Sequence, residues 1–450
     1  MGQRMIPSAV PAVANIAVIG GGYSGMAAAV RVTELGGRAT VFEAGRVLGG
    51  RARRVEYQGQ TLDNGQHILS GAYRQLLRLM DVVGVSGRSW ERHPLNLTIA
   101  PGFALRAPLL PAPMHMVWAL LTAKGLIWGD RWRAARFMSS LKQRSFEVPP
   151  SLTVQELLEQ YRQTKALIDY LWQPLTISAL NTPIAVASAQ VFVNVLRDSL
   201  RGEREASDLL LPKVDLSALF PEPASRWLAE HGGETLLGTA VTSLSVSDHD
   251  VSVDAGGGQW SFDAAIVAVA PHQRHILCPD IFVQPAKPME YEPIVTIYFG
   301  FETEQRLPLP MLGQAHGTVQ WFFDRRQLSD APGSKELVIA AVISTSGPHE
   351  ALPHDALVDV VLSELSHHMP GLPARKWQKV IHEKFATFSC TPDVTRLPCQ
   401  TPHARLHLAG DDIINPDRLY PATLEGAVRN GIAAAEAAVG SARHPAPTST

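Results

Sequence analysis

Cysteine is scarce in this sequence: Cys278, Cys390 and Cys399 are odd in number and form no C-x-x-C pair. That excludes a disulfide framework, suits a reducing compartment, and leaves no metal site to expect. A dominant charge sign is also missing. With 40 Lys and Arg against 42 Asp and Glu, the formal net charge is −2, so no global basic field exists for a nucleic-acid partner. No clean apolar run of membrane-spanning length is found. Ala107 to Ala123 carries no Asp, Glu, Lys or Arg, yet Pro108, Pro111 and Pro113 interrupt it. The segment before Asn15 contains Arg4 and no apolar core of signal-peptide length, as in the leader of a cytoplasmic protein.

What is present is a globular chain of 450 residues, 46% hydrophobic, with room for two or three domains. Residues 15 to 46 organise it. Ile16 to Ile19 is a continuous apolar run, as in a parallel strand buried on both faces. Gly20, Gly22 and Gly25 follow as G-x-G-x-x-G, with Tyr23 and Ser24 between them, and Met26 to Leu35 reads as a helix. The first glycine permits a tight turn, the second lets backbone approach a pyrophosphate, and the third lets the helix pack closely. The phosphates would sit at the helix N-terminus. Glu43 ends the next strand at the distance where a carboxylate accepts a ribose hydroxyl. Strand, glycines, helix, strand and acid in this order predict an ADP-containing cofactor.

Gly49-Gly50-Arg51 fits either a diphosphate contact or a solvated basic turn; after the fingerprint, phosphate contact is favoured. Asp63-Asn64-Gly65-Gln66-His67 gathers polar groups on a permissive backbone, suited to the edge of a flavin ring, although His67 alone also reads as a capping or packing histidine. Between Phe103 and Arg144, Trp118, Trp128 and Trp132 lie among apolar residues beside Lys124, Arg131, Arg133, Arg136, Lys142 and Arg144. This pattern fits a segment lying in a membrane surface and equally a buried cap helix with a basic face. Helices are predicted over Thr153–Tyr161, Leu167–Trp172 and Ala185–Leu200, the last capped by Asn181-Thr182-Pro183. The α/β pattern then returns, with strands at Gly238–Leu244, Val251–Val253, Trp260–Phe262, Asp263–Ala270, Ile294–Phe301 and Val338–Ile343, and Gly256-Gly257-Gly258 as a hairpin turn. Asp355–His368 reads as a helix. Leu406–Asp411 is a strand delivering Gly410-Asp411, and Pro421 is placed in the first turn of a final helix aimed at the cofactor. The tail from Ser441 reads as frayed.

The expected fold is α/β: a discontinuous Rossmann-type FAD-binding domain (1–102, 232–290, 385–440), a helical substrate or cap region (103–231), a substrate-domain sheet (291–384) and a disordered tail (441–450). The fingerprint with Glu43, Gly49-Gly50-Arg51, Ala409-Gly410-Asp411 and the final helix resembles the flavin-containing amine oxidase and phytoene desaturase superfamily. Within it, Leu62–Leu69, Trp172-Gln-Pro-Leu175, Leu180-Asn-Thr-Pro183, Gln320-Trp321 and Tyr420–Val428 resemble the hydroxysqualene dehydroxylase family, over roughly Ile16 to Val439. One departure is Asp412-Ile413, where many relatives carry an aromatic soon after the acid.

The resemblance implies FAD as cofactor, held by Gly20, Gly22, Tyr23, Ser24, Gly25, Glu43, Ala44, Gly50, Arg51, Gly65, Gln66, His67, Val241, Gly410, Asp411, Thr423, Leu424 and Gly426, with no metal. It implies reduction of hydroxysqualene, a lipophilic C30 isoprenoid, to squalene by hydride from reduced flavin. His67 is the candidate acid, being the only titratable side chain of the flavin-edge motif. Such a substrate favours the membrane-surface reading of 103–144, on the inner face of the cytoplasmic membrane. With one dinucleotide fingerprint, no separate nicotinamide site is expected, and the electron donor stays unassigned. The alternatives are a carotenoid-type desaturase or amine oxidase using oxidised FAD, and a prenyl-lipid carrier on the same fold. Intact Glu43, Asp411 and Gly426 argue against a carrier.

Overall fold

The computed structural model describes residues 13–443 other than 86, 201, 280, 283–287, 329–335 and 416. Its organising element is a five-stranded sheet with all pairings parallel. In spatial order the strands are Glu234–Leu237, Arg38–Glu43, Asn15–Ile19, Ala264–Val267 and Leu406–Leu408. Strands sealed on both faces need apolar residues at every position, and Ile16 to Ile19 and Ala264 to Val267 are buried throughout. The helix Tyr23–Glu34 packs on the sheet and against the long helix Leu424–Arg443 and the helix Pro221–Glu230. A three-stranded antiparallel sheet, Val241–Val246, Val251–Ala255 and Gly258–Phe262, turns at Gly256 and Gly257 and sets Trp260 and Phe262 edge-on to Phe42.

The second large sheet has seven strands, in the order Trp377–Phe388, Tyr291–Glu302, Glu336–Ser344, Trp321–Asp324, Met311–Gln314, Asn96–Ala100 and Phe103–Arg106. All its pairings are antiparallel except Met311–Gln314 with Asn96–Ala100. The helix His354–His368 covers one face through Leu357, Val358, Val361 and Leu365. Helices between Met114 and Leu200 join strand residues Tyr298, Phe323, Ala340 and Val342 in another core.

Several expected boundaries fall elsewhere. The hairpin Asn96–Arg106 straddles residue 102 and belongs to the seven-stranded sheet. Leu216, Leu219, Phe220, Ala224 and Leu228 join the nucleotide-side core rather than the cap. Trp377–Phe388 runs on past residue 384 as one strand. Asn181 does not cap the following helix. With φ of +44° it ends Gln173–Leu180 in the left-handed conformation, and the next helix begins at Ala189, where the Val191 N–H reaches Ser188 Oγ. Pro421 precedes the final helix, which begins at Leu424, with Thr423 Oγ1 accepting from the Gly426 N–H. That helix continues through Ser441 to Arg443; the rest of the expected tail, and the first twelve residues of the expected leader, lie outside the described residues.

Candidate active site

The glycine fingerprint lies at the carboxyl edge of the central strand. Gly20 has φ of +111°, open to glycine and strained for other residues, and a Cβ on Gly25 would stand 1.9 Å from the Gly20 carbonyl oxygen. The second glycine turn runs alongside. Gly22 bridges Gly49 in parallel fashion, and the Gly49 N–H donates to Gly21 O at 2.9 Å. Two backbone segments without side chains thus meet at the start of the helix Tyr23–Glu34, where unpaired N–H groups and the positive dipole end converge.

Glu43 faces the same turn. Its carboxylate accepts the N–H groups of Gly21 and Gly45, both at 2.7 Å, and a carboxylate retains lone pairs for a hydroxyl beyond these two. Ala44 is exposed beside it. Val241 starts the small antiparallel sheet, and the segment before it is tied here by Gly238 N–H to Gly45 O and Thr239 N–H to Glu43 O. Tyr23 points its ring away, against Phe220, and donates to Leu216 O at 2.8 Å. Burial, then the charges of Asp63 and Asp215, raises its phenol well above the ordinary range. Only the Tyr23 backbone is left for a ligand. Ser24 Oγ, in the first helical turn, is buried without a hydrogen-bond partner.

Arg51 pairs with Asp411 at 2.5 Å and donates to Ala386 O at 2.7 Å, joining the glycine turn to the strand end that carries Gly410. Asp412 turns the other way, into a buried two-pronged ion pair with Arg274 at 2.6 and 2.9 Å. Asn430 of the final helix holds the Gly410 carbonyl at 2.7 Å. Adjacent acids therefore have separate partners: Asp411 holds Arg51 and Asp412 anchors the strand end through Arg274.

The loop from Asp63 to His67 is held from several sides. Asp63 accepts from Leu216 N–H and pairs with Arg325 at 3.3 Å, and Arg325 also donates to Gln66 Oε1 at 3.0 Å. Burial raises the Asp63 carboxyl although Arg325 opposes the shift. Asn64 donates to Arg51 O and to Glu383. His67 Nδ1 lies 2.7 Å from Gly65 O, so Nδ1–H donates and Nε2 is left to hold or release a proton. Thr296 Oγ1, buried and without a partner, would lie 3.8 Å from a Cβ at Gly65. At the final helix, Leu424 and Gly426 follow the Thr423 cap. Glu425 instead turns its buried carboxylate onto the N–H groups of Gln75 and Leu76, the start of the helix Arg74–Val82.

Sequence reasoning missed Arg325, Arg274, Glu383 and Thr296, all brought in from distant segments. The Asn181 and Gln320 motifs, singled out in sequence, are fasteners: Asn181 ties Thr345 and Thr387, while Gln320 Oε1 accepts from Ser344 N–H.

The residues present fit FAD on three observations: a side-chain-free double turn at a helix N-terminus, an unpartnered buried hydroxyl in the first turn of that helix, and a carboxylate beside each glycine turn, Glu43 on one and Asp411, through Arg51, on the other. Among the described residues no cluster of metal ligands is found. Comparison with known proteins agrees with the geometry. The chain is 26% identical to hydroxysqualene dehydroxylase of Zymomonas mobilis, covering 94% of this chain and 98% of that one. It is 27% identical to that of Rhodopseudomonas palustris, covering 95% and 99%. Among solved structures, an oxidoreductase from Methanosarcina mazei superposes with a TM-score of 0.73 at 15% identity, covering 94% of this chain and all of that one. Cyclohexylamine oxidase from Brevibacterium oxydans gives 0.65 at 17%, covering 95% and 99%. The family described as flavin containing amine oxidoreductase matches residues 23–439, so this chain belongs to that family and is an FAD-dependent oxidoreductase.

Proposed function

We propose that the protein is a hydroxysqualene dehydroxylase, reducing a C30 allylic alcohol to squalene. The observation that carries this reading is end-to-end similarity: three hydroxysqualene dehydroxylases align with it over 94% to 95% of the chain. Phytoene desaturases also align with it, at lower identity. Both comparisons favour a long isoprenoid as substrate.

Reduced FAD, when bound, supplies the hydride. The chain's own residues would do the rest. Gly20, Gly22, Gly25 and Gly50 would admit the diphosphate, Ser24 and the first-turn N–H groups would hold it, and Glu43 would take the adenosine ribose. The backbone of Tyr23, together with Ala44 and Val241, would border the adenosine end. Arg51 and Asp411 would fix the middle of the cofactor, with Gly410 beside them. The N-terminus of the final helix, at Thr423, Leu424 and Gly426, would favour negative charge on the reduced ring. Gly65 and Gln66 would line the ring edge. His67, with Nδ1–H committed to Gly65, would present Nε2–H to the departing hydroxyl, so that water leaves rather than hydroxide.

The test is anaerobic. Dithionite-reduced, FAD-loaded protein is mixed with hydroxysqualene, and flavin reoxidation is followed while products are extracted. Squalene appearing as the flavin reoxidises is expected. Flavin that stays reduced over intact substrate would reject the reading and favour an oxidase or desaturase. His67→Ala is expected to keep FAD and lose 10²-fold or more in reoxidation rate, on the order of general-acid contributions; full turnover would remove His67 from the mechanism.

A further inference from the structure

The helix Met114–Thr122 sets Met114, Val117, Trp118 and Leu121 at i, i+3, i+4 and i+7, the spacing of a buried face. In the structure that face points outward. Trp118 is 53% exposed, and on the next helix, Trp128–Gln143, Trp128 and Trp132 are 68% and 63% exposed, after Ile127 at 71%. The opposite sides hold the hairpin in place: His115, Ala119, Ala134, Phe137 and Leu141 are buried. Arg131 donates to Leu121 O and Ala123 O, both at 2.7 Å, closing the first helix onto the second.

Charge around this face has one sign. From Phe103 to Phe146 the only acid is Asp130, which is buried and accepts from Thr164. Exposed Lys124, Arg133, Arg136 and Lys142 surround the tryptophans, and Arg136 lies over the Trp132 ring at 5.5 Å. Exposed apolar faces mark interaction sites, and tryptophans ringed by lysine and arginine match the boundary between acyl chains and anionic headgroups. Among the described residues no helix is long and apolar enough to cross a membrane. An apolar cleft of about 280 Å³, lined by Leu95, Ala107, Leu209 and Met311 among others, begins two residues before exposed Leu109.

We propose that this helical hairpin docks the protein on an anionic lipid bilayer, with Trp118, Trp128 and Trp132 at the acyl boundary and the arginines on headgroup phosphates. Drawing substrate from that bilayer rests on the isoprenoid reading above; the docking does not.

The test is flotation of the FAD-loaded protein with vesicles. One set contains equal parts of phosphatidylcholine and phosphatidylglycerol, the other phosphatidylcholine alone. Strong flotation with the mixed vesicles is expected, weaker with the neutral ones, and reduced by salt. Replacing the three tryptophans by Ser is expected to weaken binding about tenfold or more, and Arg133→Glu with Arg136→Glu to remove the preference for anionic vesicles. Flavin absorbance verifies that each variant is folded. Three results would each overturn the proposal: FAD-loaded protein that floats with neither vesicle, variants that bind as the parent does, or a dimer dispersed by the tryptophan changes without any lipid binding. Flavin reoxidation by detergent-dissolved hydroxysqualene tests the reaction separately, since it needs no bilayer.

Discussion

The nucleotide half and the helical hairpin are both written in apolar residues, and they use them in opposite directions. In the opening strand every apolar residue is sealed between a helix layer and the small antiparallel sheet. In the first helix of the hairpin the apolar stripe Met114, Val117, Trp118 and Leu121 is left open while His115 and Ala119 face inward. Periodicity tells that a helix has two faces; it does not tell what covers either. Coverage is specified locally in the first case, because the fingerprint brings its own helix. In the second case the covering material is no part of the described chain.

The largest expected effect comes from Gly25→Val. Its Cβ alone would overlap the Gly20 carbonyl, so the helix must shift off the sheet, at roughly 1–3 kcal/mol or more. Protein purified without flavin absorbance is the expected result; a fully yellow variant would mean that the cradle is looser than the contrast requires.

Next comes acid. Burial lowers His407, in the last strand of the parallel sheet, to about 4. Unfolded, an imidazole takes its proton near pH 6.5, so the stability it allows is complete above that pH. It is lost as pH falls towards about 4. Between pH 6.5 and 5 the loss is about 2 kcal/mol. Urea unfolding at pH 7 and pH 5 should show this slope in the parent and a flatter one in His407→Gln; parallel slopes would refute it. A smaller change, about 1 kcal/mol, is expected for Thr153→Ala, which removes the reciprocal cap with Glu156 in the helical region. Thermal unfolding would read it. The smallest is Trp128→Ser, within about 0.5 kcal/mol of the parent despite the loss of an indole. A loss of core-mutant size would erase the contrast between the two regions.

Much of the cofactor groove was legible because glycine spacing is a statement about backbone. Gly20, Gly22, Gly25 and Glu43 sit together through bonds within thirty residues, and sequence order alone predicts that meeting. The edge strand Glu234–Leu237 was not legible: it is partly exposed and too short to alternate clearly. Nor was the role of Asp412, since nothing near it announces Arg274. The same holds for Arg325, which reaches Asp63 and Gln66 across the fold. Asn181 misled because a helix-ending asparagine and a helix-starting one have the same letter; only the sign of φ distinguishes them. The hairpin Asn96–Arg106 crosses the expected boundary at residue 102 because its partner strand, Met311–Gln314, lies about two hundred residues further on, beyond the reach of local pattern.

The strand order of the parallel sheet also constrains how the molecule is made. Its central strand is synthesised at residues 15–19, but a neighbour arrives only at 264–267 and the far edge only at 406–408. The helix that covers Tyr23–Glu34 comes later still. On a ribosome the nucleotide half must therefore wait, with Asn15–Ile19 and Arg38–Glu43 made early but one side of the central strand open, while nearly the whole intervening chain emerges and all seven strands of the second sheet are made. Such long-range closure is slow and leaves sticky strands uncovered. The nascent chain is expected to rely on chaperones more than its folded stability would suggest.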